Sequence, residues 1–390
     1  MIRPIERLSR HSGAVRPANI PAPNQDIPVP KDRQTLLIAA GGSGREIGYR
    51  YVTLCCLSGT LPHAVAIDTD QAELAPLMVR VGDHWFEMPK PPRFLLGNAD
   101  WQEAIAQDAI LRARYTPGQG LLRGIQAWDM RFQALRGAFG HPPLAQMRID
   151  IEVREVADFL RRALVEAFVA PPQVAPPGAS DWEKLVAARR ALQRNQEEAR
   201  IHRIVMLFSG AGSTGHAAGQ TLPYLLWQII RDLNIAPVEM IGVLFGPHAY
   251  EGLTQYTWAN DAALRRALAH RMRHGLGKRT FREDFEVDLG TQVPFDHILL
   301  IDGPGAQSGH KVSDVELRTF YDQAALALRA ALQREIWDAA IGQINNDNLG
   351  AHYVHIVRSA EAFADGDALR ATLARRLEMR VYEALSQNDT

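Results

Sequence analysis

Leu207-Phe208-Ser209-Gly210-Ala211-Gly212-Ser213-Thr214-Gly215-His216-Ala217-Ala218-Gly219 is the stretch that decides how this chain is read. The apolar run Ile204 to Phe208 before it has the character of a buried strand, and Thr221 to Leu233 after it has the spacing of a helix. A strand that ends in small residues and passes into a helix aims backbone N–H groups and a positive helix end at one point, which makes an anion site. The same arrangement occurs earlier. Leu36-Leu37-Ile38-Ala39-Ala40 runs into Gly41-Gly42-Ser43-Gly44-Arg45-Glu46-Ile47-Gly48 and a helix from Glu46 to Leu57. Two phosphate-grade turns on separate strands point to a nucleotide held from two sides.

Outward from these turns, strands and helices alternate. Further strands are expected at His63 to Ile67, ending in Asp68-Thr69-Asp70, and at Val238 to Phe245, Phe295 to Ile301 and His352 to Val357. Helices are expected near Trp101 to Arg114, Leu121 to Leu135, Ile151 to Ala167, Asp181 to Arg200, Asn260 to Arg273 and Asp367 to Leu385. Ser313 to Ile341 holds no Gly or Pro and reads as one helix, which at ~1.5 Å per residue would exceed about 40 Å. The alternation predicts an α/β fold, a doubly wound and mostly parallel sheet with a long central helix and a short C-terminal strand-helix segment. Residues 1–33, with five prolines from Pro17 to Pro30, read as a flexible tail. Residues 34–342 are expected to form a nucleotide-binding domain, interrupted by a Pro-rich connector near 170–180, and 343–390 a catalytic-type loop and a truncated C-terminal segment.

Composition narrows the function classes. A hydrophobic content of 46% with 22% charged residues is globular, and a net charge of −1 gives no global field toward nucleic acid or an anionic membrane. The adjacent Cys55 and Cys56 are expected to be reduced packing residues, as in a cytoplasmic protein. No apolar run of about 18 residues suggests a membrane span, and no secretory signal is expected at the N-terminus.

The order of these parts resembles the tubulin/FtsZ superfamily, most closely its bacterial tubulin-like branch. Gly41 to Gly48 is similar to that family's first phosphate loop, and Ala66-Ile67-Asp68-Thr69-Asp70 to the loop that approaches the nucleotide and its magnesium. Gly118-Gln119-Gly120 with Gly124 resembles the γ-phosphate sensor, and Ala211 to Ala217 the Gly-Gly-Gly-Thr-Gly-Ser/Thr-Gly signature. Gly242 to Pro247, Glu251-Gly252 and the helix from Asn260 resemble the next strand, ribose loop and helix. Pro294 to Asp302 resembles the strand before the core helix, and Asn345-Asn346-Asp347 stands where the family has its Asn-x-Asp loop.

The resemblance implies GTP or GDP with Mg²⁺ at the carboxyl edge of the sheet, slow hydrolysis and head-to-tail self-association into filaments. Gly41, Gly42, Ser43, Gly44 and Arg45 would hold phosphates together with Ala211, Gly212, Ser213, Thr214, Gly215 and His216. Asp68, Thr69 and Asp70 would approach the nucleotide, Asp70 supporting the metal. Gly118, Gln119 and Gly120 would report the γ-phosphate, Glu251 would reach the ribose and Phe320 would stack on the base. Asp347 would polarise water on a neighbour's nucleotide. The chain departs from the pattern at Ser213, His216 and Ala217, where His216 is expected to crowd the phosphate path. It departs again at Gly303, in place of a guanine-contacting Asn, and after Phe320, which no acid follows four residues on.

Other readings stand beside this one. Gly42-x-Gly44-x-x-x-Gly48 with Asp68 also fits a dinucleotide fingerprint, hence an NAD(P)-dependent oxidoreductase. A nucleotide-binding interaction module without hydrolysis is a third class. Asp68 and Asp70 could serve turn chemistry alone, and Asp347 could belong to a surface turn. His270 and His274 lie among Arg265, Arg266, Arg271 and Arg273. With Lys278, Arg279 and Arg282 they read as a solvated basic face open to an acidic partner rather than as metal ligands. His352 and His355 fall on opposite faces of one strand and cannot share a metal.

Overall fold

The computed structural model describes residues 34–57, 62–81, 84–125, 138, 140–169, 202–235, 237–253, 256–303, 311–333, 336–338 and 353–357. The expected 1–33 tail, 170–180 connector, Asp181 to Arg200 helix, Asp347 loop and Asp367 to Leu385 helix all lie outside these residues.

The chain alternates as its apolar runs require. β1 (Thr35–Ala40), α1 (Gly41–Leu57) and β2 (His63–Asp68) are followed by a hairpin of β3 (Met78–Val81) with β4 (His84–Glu87), and then by β5 (Arg93–Leu95). Among the described residues four helices follow: α2 (Trp101–Gln107), α3 (Ala109–Tyr115), α4 (Pro142–Ile151) and α5 (Val153–Leu164). The second half runs β6 (His202–Ser209), α6 (Ser213–Leu233), β7 (Val238–Phe245) and α7 (Thr257–His274). A second hairpin, β8 (Lys278–Arg282) with β9 (Phe285–Asp288), precedes β10 (His297–Ile301), α8 (Asp314–Ala331) and β11 (Tyr353–Val357).

Seven strands form the main sheet in the order β11-β10-β7-β6-β1-β2-β5, every neighbouring pair parallel. The fold is therefore α/β. Side chains of β1 alternate between two cores: Leu36, Ile38 and Ala40 face one side with α4, α5, α6 and α7 residues, while Leu37 faces α1 and α8. Both faces are covered, which is why the strands are apolar almost throughout. No helix among the described residues is long and apolar enough to cross a membrane.

Several boundaries differ from expectation, each for a local reason. Trp101 to Arg114 is two helices because Asp108 breaks the run and caps the second, accepting from Leu111 N at 3.0 Å. The expected Ile151 to Ala167 helix is preceded by α4 and interrupted at Glu152, whose carboxylate accepts from Gly97 N at 3.0 Å and Ala99 N at 2.8 Å. Before Ile341 the long core helix already ends at Ala331. Arg203 Nη1 takes the Leu332 carbonyl at 3.1 Å, lies over the Trp337 ring, and ion-pairs with Glu239 at 2.9 Å. Its 18 residues still span ~27 Å. It therefore crosses the sheet from the carboxyl ends of the strands to the amino ends. Buried Arg50 ties it to α1, donating to Asp322 at 2.6 Å and bonding Glu46 within its own helix.

Candidate functional site

After β1 the chain moves to β2 on one side, whereas β6 later pairs on the other side of β1. The chain thus leaves β1 for a helix on one face of the sheet and β6 for a helix on the other, and a crevice at such a switch point is where open parallel sheets bind ligands. The two glycine turns occupy this place. A side chain at Gly41 would sit 3.0 Å from Gly215 N, and Thr214 Oγ1 lies 2.7 Å from Thr69 Oγ1 in a buried hydroxyl pair. Turns from β1, β2 and β6 therefore converge.

The glycines of these turns divide by what requires them. A Cβ at Gly44 would lie 2.7 Å from Leu207 O, and one at Gly215 would lie 2.7 Å from both Ser209 N and Ser209 O, so strand–helix packing demands both. Gly41 is held at a φ of +73°, where only glycine is comfortable. Gly42 and Gly212 answer to neither constraint. Both are exposed, neither has a positive φ, and nothing lies within 4 Å of a Cβ built on either. Their bare backbones face open space beside the converging turns, a cradle that a side chain would fill.

Helix starts supply the electrostatics. The structure corrects the expected loop geometry: α1 begins at Gly41, directly after the strand, and α6 begins at Ser213. Ser213 to Gly219 are therefore the first two turns of a helix, and only Gly210 to Gly212 form loop. Gly212 caps α6 without a side-chain bond, and neither α1 nor α6 carries an acid in its first turn. By contrast α8 opens with Asp314, Glu316 and a Ser313–Glu316 capping box. The positive ends of α1 and α6 at the crevice are thus not neutralised by their own side chains.

His216 does not crowd this approach. Its ring is buried at 6% exposure and turns inward, Nε2 lying 2.7 Å from Gln220 Nε2, with the Gly210 and Asn260 backbones nearby. Burial lowers its pKa from 6.5 to about 4, so the ring is neutral at pH 7. Asn260 Nδ2 in turn donates to Gly140 O at 2.8 Å and reaches Ala211 O at 3.4 Å, fixing the turn from the α7 side.

On the β2 side, Asp68 is turned to internal use. Its Oδ2 accepts from Arg45 at 2.8 Å and its Oδ1 from Thr69 N at 2.8 Å, while Arg45 also donates to Ala72 O at 2.9 Å. Burial raises the Asp68 pKa against the pull of Arg45. Arg45 thus faces Asp68 and the 70–72 turn. Asp70 is exposed, with Oδ1 accepting from Ala72 N at 3.0 Å. Among the described residues no three His, Cys, Asp or Glu side chains converge as a metal site.

The edge continues over β7 and β10 with groups that motif reading passed over. His248 Nδ1 lies 2.7 Å from Asp302 Oδ2, and Asp302 Oδ1 accepts from His248 N at 3.1 Å and Gly303 N at 2.9 Å. A Cβ at Gly246 would fall 2.2 Å from Asp302 Cγ, so the glycine after β7 makes room for the acid after β10. A polar residue directly after an apolar strand, as at Asp68, was the available signal. Glu251 is half-buried in the same loop. Phe320 is a core residue at 5% exposure, its ring centroid 6.3 Å from Phe245, 6.0 Å from Tyr250 and 6.2 Å from Tyr321.

The chain matches CetZ2 from Haloferax volcanii, solved as a GTPγS-bound protofilament, at 15% identity and a TM-score of 0.39, covering 80% of this chain. It matches TubZ from Bacillus thuringiensis serovar israelensis, solved as GDP-form protofilaments, at 10% identity and a TM-score of 0.36, covering 76% of this chain. The matches span 62% and 52% of those two chains. No family model and no curated protein matches.

In the Gly118-Gln119-Gly120 turn, Gly118 N bonds Leu122 O at 3.0 Å and Ile125 O at 2.9 Å. Gly118 and Gly120 have φ of 74° and 49°, so backbone conformation accounts for both glycines. The expected basic face is largely dismantled. Arg265 pairs with Asp261, Arg271 donates to Gln220 O at 2.6 Å, Arg279 to Asp150 at 2.9 Å and Arg282 to Ile151 O at 3.1 Å. Lys278 pairs with Glu286 at 2.7 Å. Arg271, Arg279 and Arg282 tie α7 and the β8–β9 hairpin to the body, while Arg265 and Lys278 pair within their own elements, so an acidic partner at 265–282 is not supported. Asp347 lies outside the described residues; the segments flanking it, Leu332 to Gln333 and Tyr353, stand at the amino edge of the sheet.

Proposed function

We propose that the crevice between the β1 and β6 turns binds the phosphates of GTP or GDP. The observation that carries this reading is the pair Gly42 and Gly212, bare and exposed at the starts of two helices, with no internal reason to be glycine. Backbone N–H groups of the first turns of α1 and α6 would face the phosphates, with the Thr214 and Thr69 hydroxyls at hand. Mg²⁺ fits this edge: it keeps several waters and uses one or two carboxylates plus phosphate oxygens, and Asp70 offers one exposed carboxylate. The metal would neutralise phosphate charge. Gly118 to Gly120 remain the proposed γ-phosphate reporter and Glu251 a ribose contact. Base choice is expected to be looser than in the family this chain resembles, because Gly303 brings no side chain to the pocket.

Slow hydrolysis and head-to-tail self-association complete the proposal. Asp347 follows a helix that has already crossed to the amino edge, so it would act on the nucleotide of a neighbouring molecule rather than its own. Such a contact is heterologous and does not close, which yields filaments. The dinucleotide alternative is disfavoured because Asp68, which would have to bind ribose, is engaged by Arg45 and two backbone N–H groups. The test is equilibrium binding of labelled GTP, ATP and NADH to the purified chain. GTP should bind tightest; binding of NADH alone overturns the proposal.

A further inference from the structure

Phe320, the aromatic residue expected to stack on a base, is enclosed by Phe245, Tyr250 and Tyr321 and offers no open ring face. An exposed aromatic does stand at the same edge. Trp258, in the first turn of α7, is 47% exposed, and its ring meets His248 edge-to-face at a centroid distance of 4.7 Å. His248 follows β7 and is clamped to Asp302, which follows β10. Asp302 is further fixed by the His248 and Gly303 backbone N–H groups, so the imidazole is oriented through Nδ1. With Nδ1 committed to Asp302, Nε2 is the ring nitrogen left for another hydrogen-bond partner.

Position along the sheet gives this cluster its meaning. The phosphate crevice lies over β1 and β6; β7 and β10 are the next two strands in order. At ~4.8 Å per strand the cluster centres about 10 Å from the crevice, a span a nucleoside covers. Asn260, two residues beyond Trp258, touches the Ala211 turn, so phosphate cradle and aromatic belong to one continuous edge.

Resting on the nucleotide reading above, we infer that Trp258, His248 and Asp302 form the nucleoside subsite. The purine stacks on Trp258, and His248 Nε2 hydrogen-bonds the ribose 2′-hydroxyl. Trp258 and His248 are binding residues here, and Asp302 is a positioning residue that holds the imidazole. A stacked base is sequence-tolerant, since every base has a π-face, which agrees with weak discrimination between guanine and adenine.

The test is titration calorimetry on the full chain with GTP, 2′-deoxy-GTP and inorganic triphosphate, for wild type, Trp258→Ala, Trp258→Phe and His248→Ala, with thermal melts of each. Trp258→Ala should weaken GTP by roughly ten- to a hundredfold, the scale of losing one base–aromatic stack, and change triphosphate affinity by less than about twofold. Trp258→Phe should restore most of the loss. His248→Ala should weaken GTP and erase its advantage over 2′-deoxy-GTP. If wild type binds GTP and Trp258→Ala binds it equally well, the subsite is refuted while the phosphate cradle stands. Equal loss of GTP and triphosphate in a variant that melts like wild type would also refute it. If wild type binds neither GTP nor triphosphate, the cradle itself fails and the subsite with it.

Discussion

Acid sensitivity at His216 can be worked out from the structure. The ring is buried in the first turns of α6, and burial is the largest cause of its pKa falling from 6.5 to about 4; nearby Arg271 adds to the fall and backbone contacts oppose it. The folded-state pKa is therefore depressed. Below pH 6.5 the unfolded chain takes a proton at this ring while the folded chain does not, so stability is lost as pH falls from about 6.5 toward 4. At ~1.4 kcal/mol per pH unit, the loss by pH 4.5 is about 2.5 kcal/mol. His216→Gln keeps a polar group beside Gln220 and cannot titrate. Urea unfolding of both proteins at pH 7.5 and 4.5 isolates the term from every other ionisable group. Wild type should lose about 2.5 kcal/mol more than the variant across that interval. Equal losses would mean that His216 is hydrated or already charged, and that the inward-facing ring described above is wrong.

Three further outcomes follow from the site's construction. Gly44→Ala and Gly215→Ala should each destabilise the fold by about 1–3 kcal/mol in thermal or urea melts, because the new methyl meets backbone atoms at 2.7 Å; unchanged melts would contradict the packing. Arg45→Met should cost about 3 kcal/mol at pH 7 by leaving Asp68 buried without its partner, and less as pH falls, because burial already raises the Asp68 pKa and protonation removes the unpaired charge; a loss independent of pH would contradict this. Asp347→Ala should leave GTP affinity nearly unchanged and lower turnover by about two orders of magnitude or more, with wild-type turnover per molecule rising with protein concentration. Turnover independent of concentration and of Asp347 would remove the assembly-coupled hydrolysis.

The sheet was legible because its strands are buried on both faces. Val238 to Phe245 stands as expected, and the core strands β1, β2, β6 and β10 fall within a residue or two of their apolar runs. Helix starts were less legible. Gly41, Gly42 and Gly44 are poor helix formers, yet α1 is helical from Gly41 and α6 from Ser213, with Gly44 packed on Leu207 and Gly215 on Ser209. The end of α8 depends on Arg203, more than a hundred residues earlier, which no local pattern announces. Side-chain direction was the least legible feature. Phe320 and Trp258 each lie on a helix near the same edge, and only the fold determines that Phe320 is enclosed and Trp258 exposed. The hydrogen bond between His248 and Asp302 likewise joins residues brought together by the pairing of β7 with β10.

The cradle's glycines offer the most direct measurement. Gly212 has φ −87° and ψ 172°, an extended backbone that any residue adopts, and nothing lies within 4 Å of its Cβ position. Gly212→Val should therefore fold and melt like wild type. GTP titration of the two proteins should show binding by wild type and at least a hundredfold weaker binding by the variant, the scale of about 2.7 kcal/mol. A variant with a wild-type melt and a wild-type GTP affinity would place the phosphates elsewhere and contradict the account.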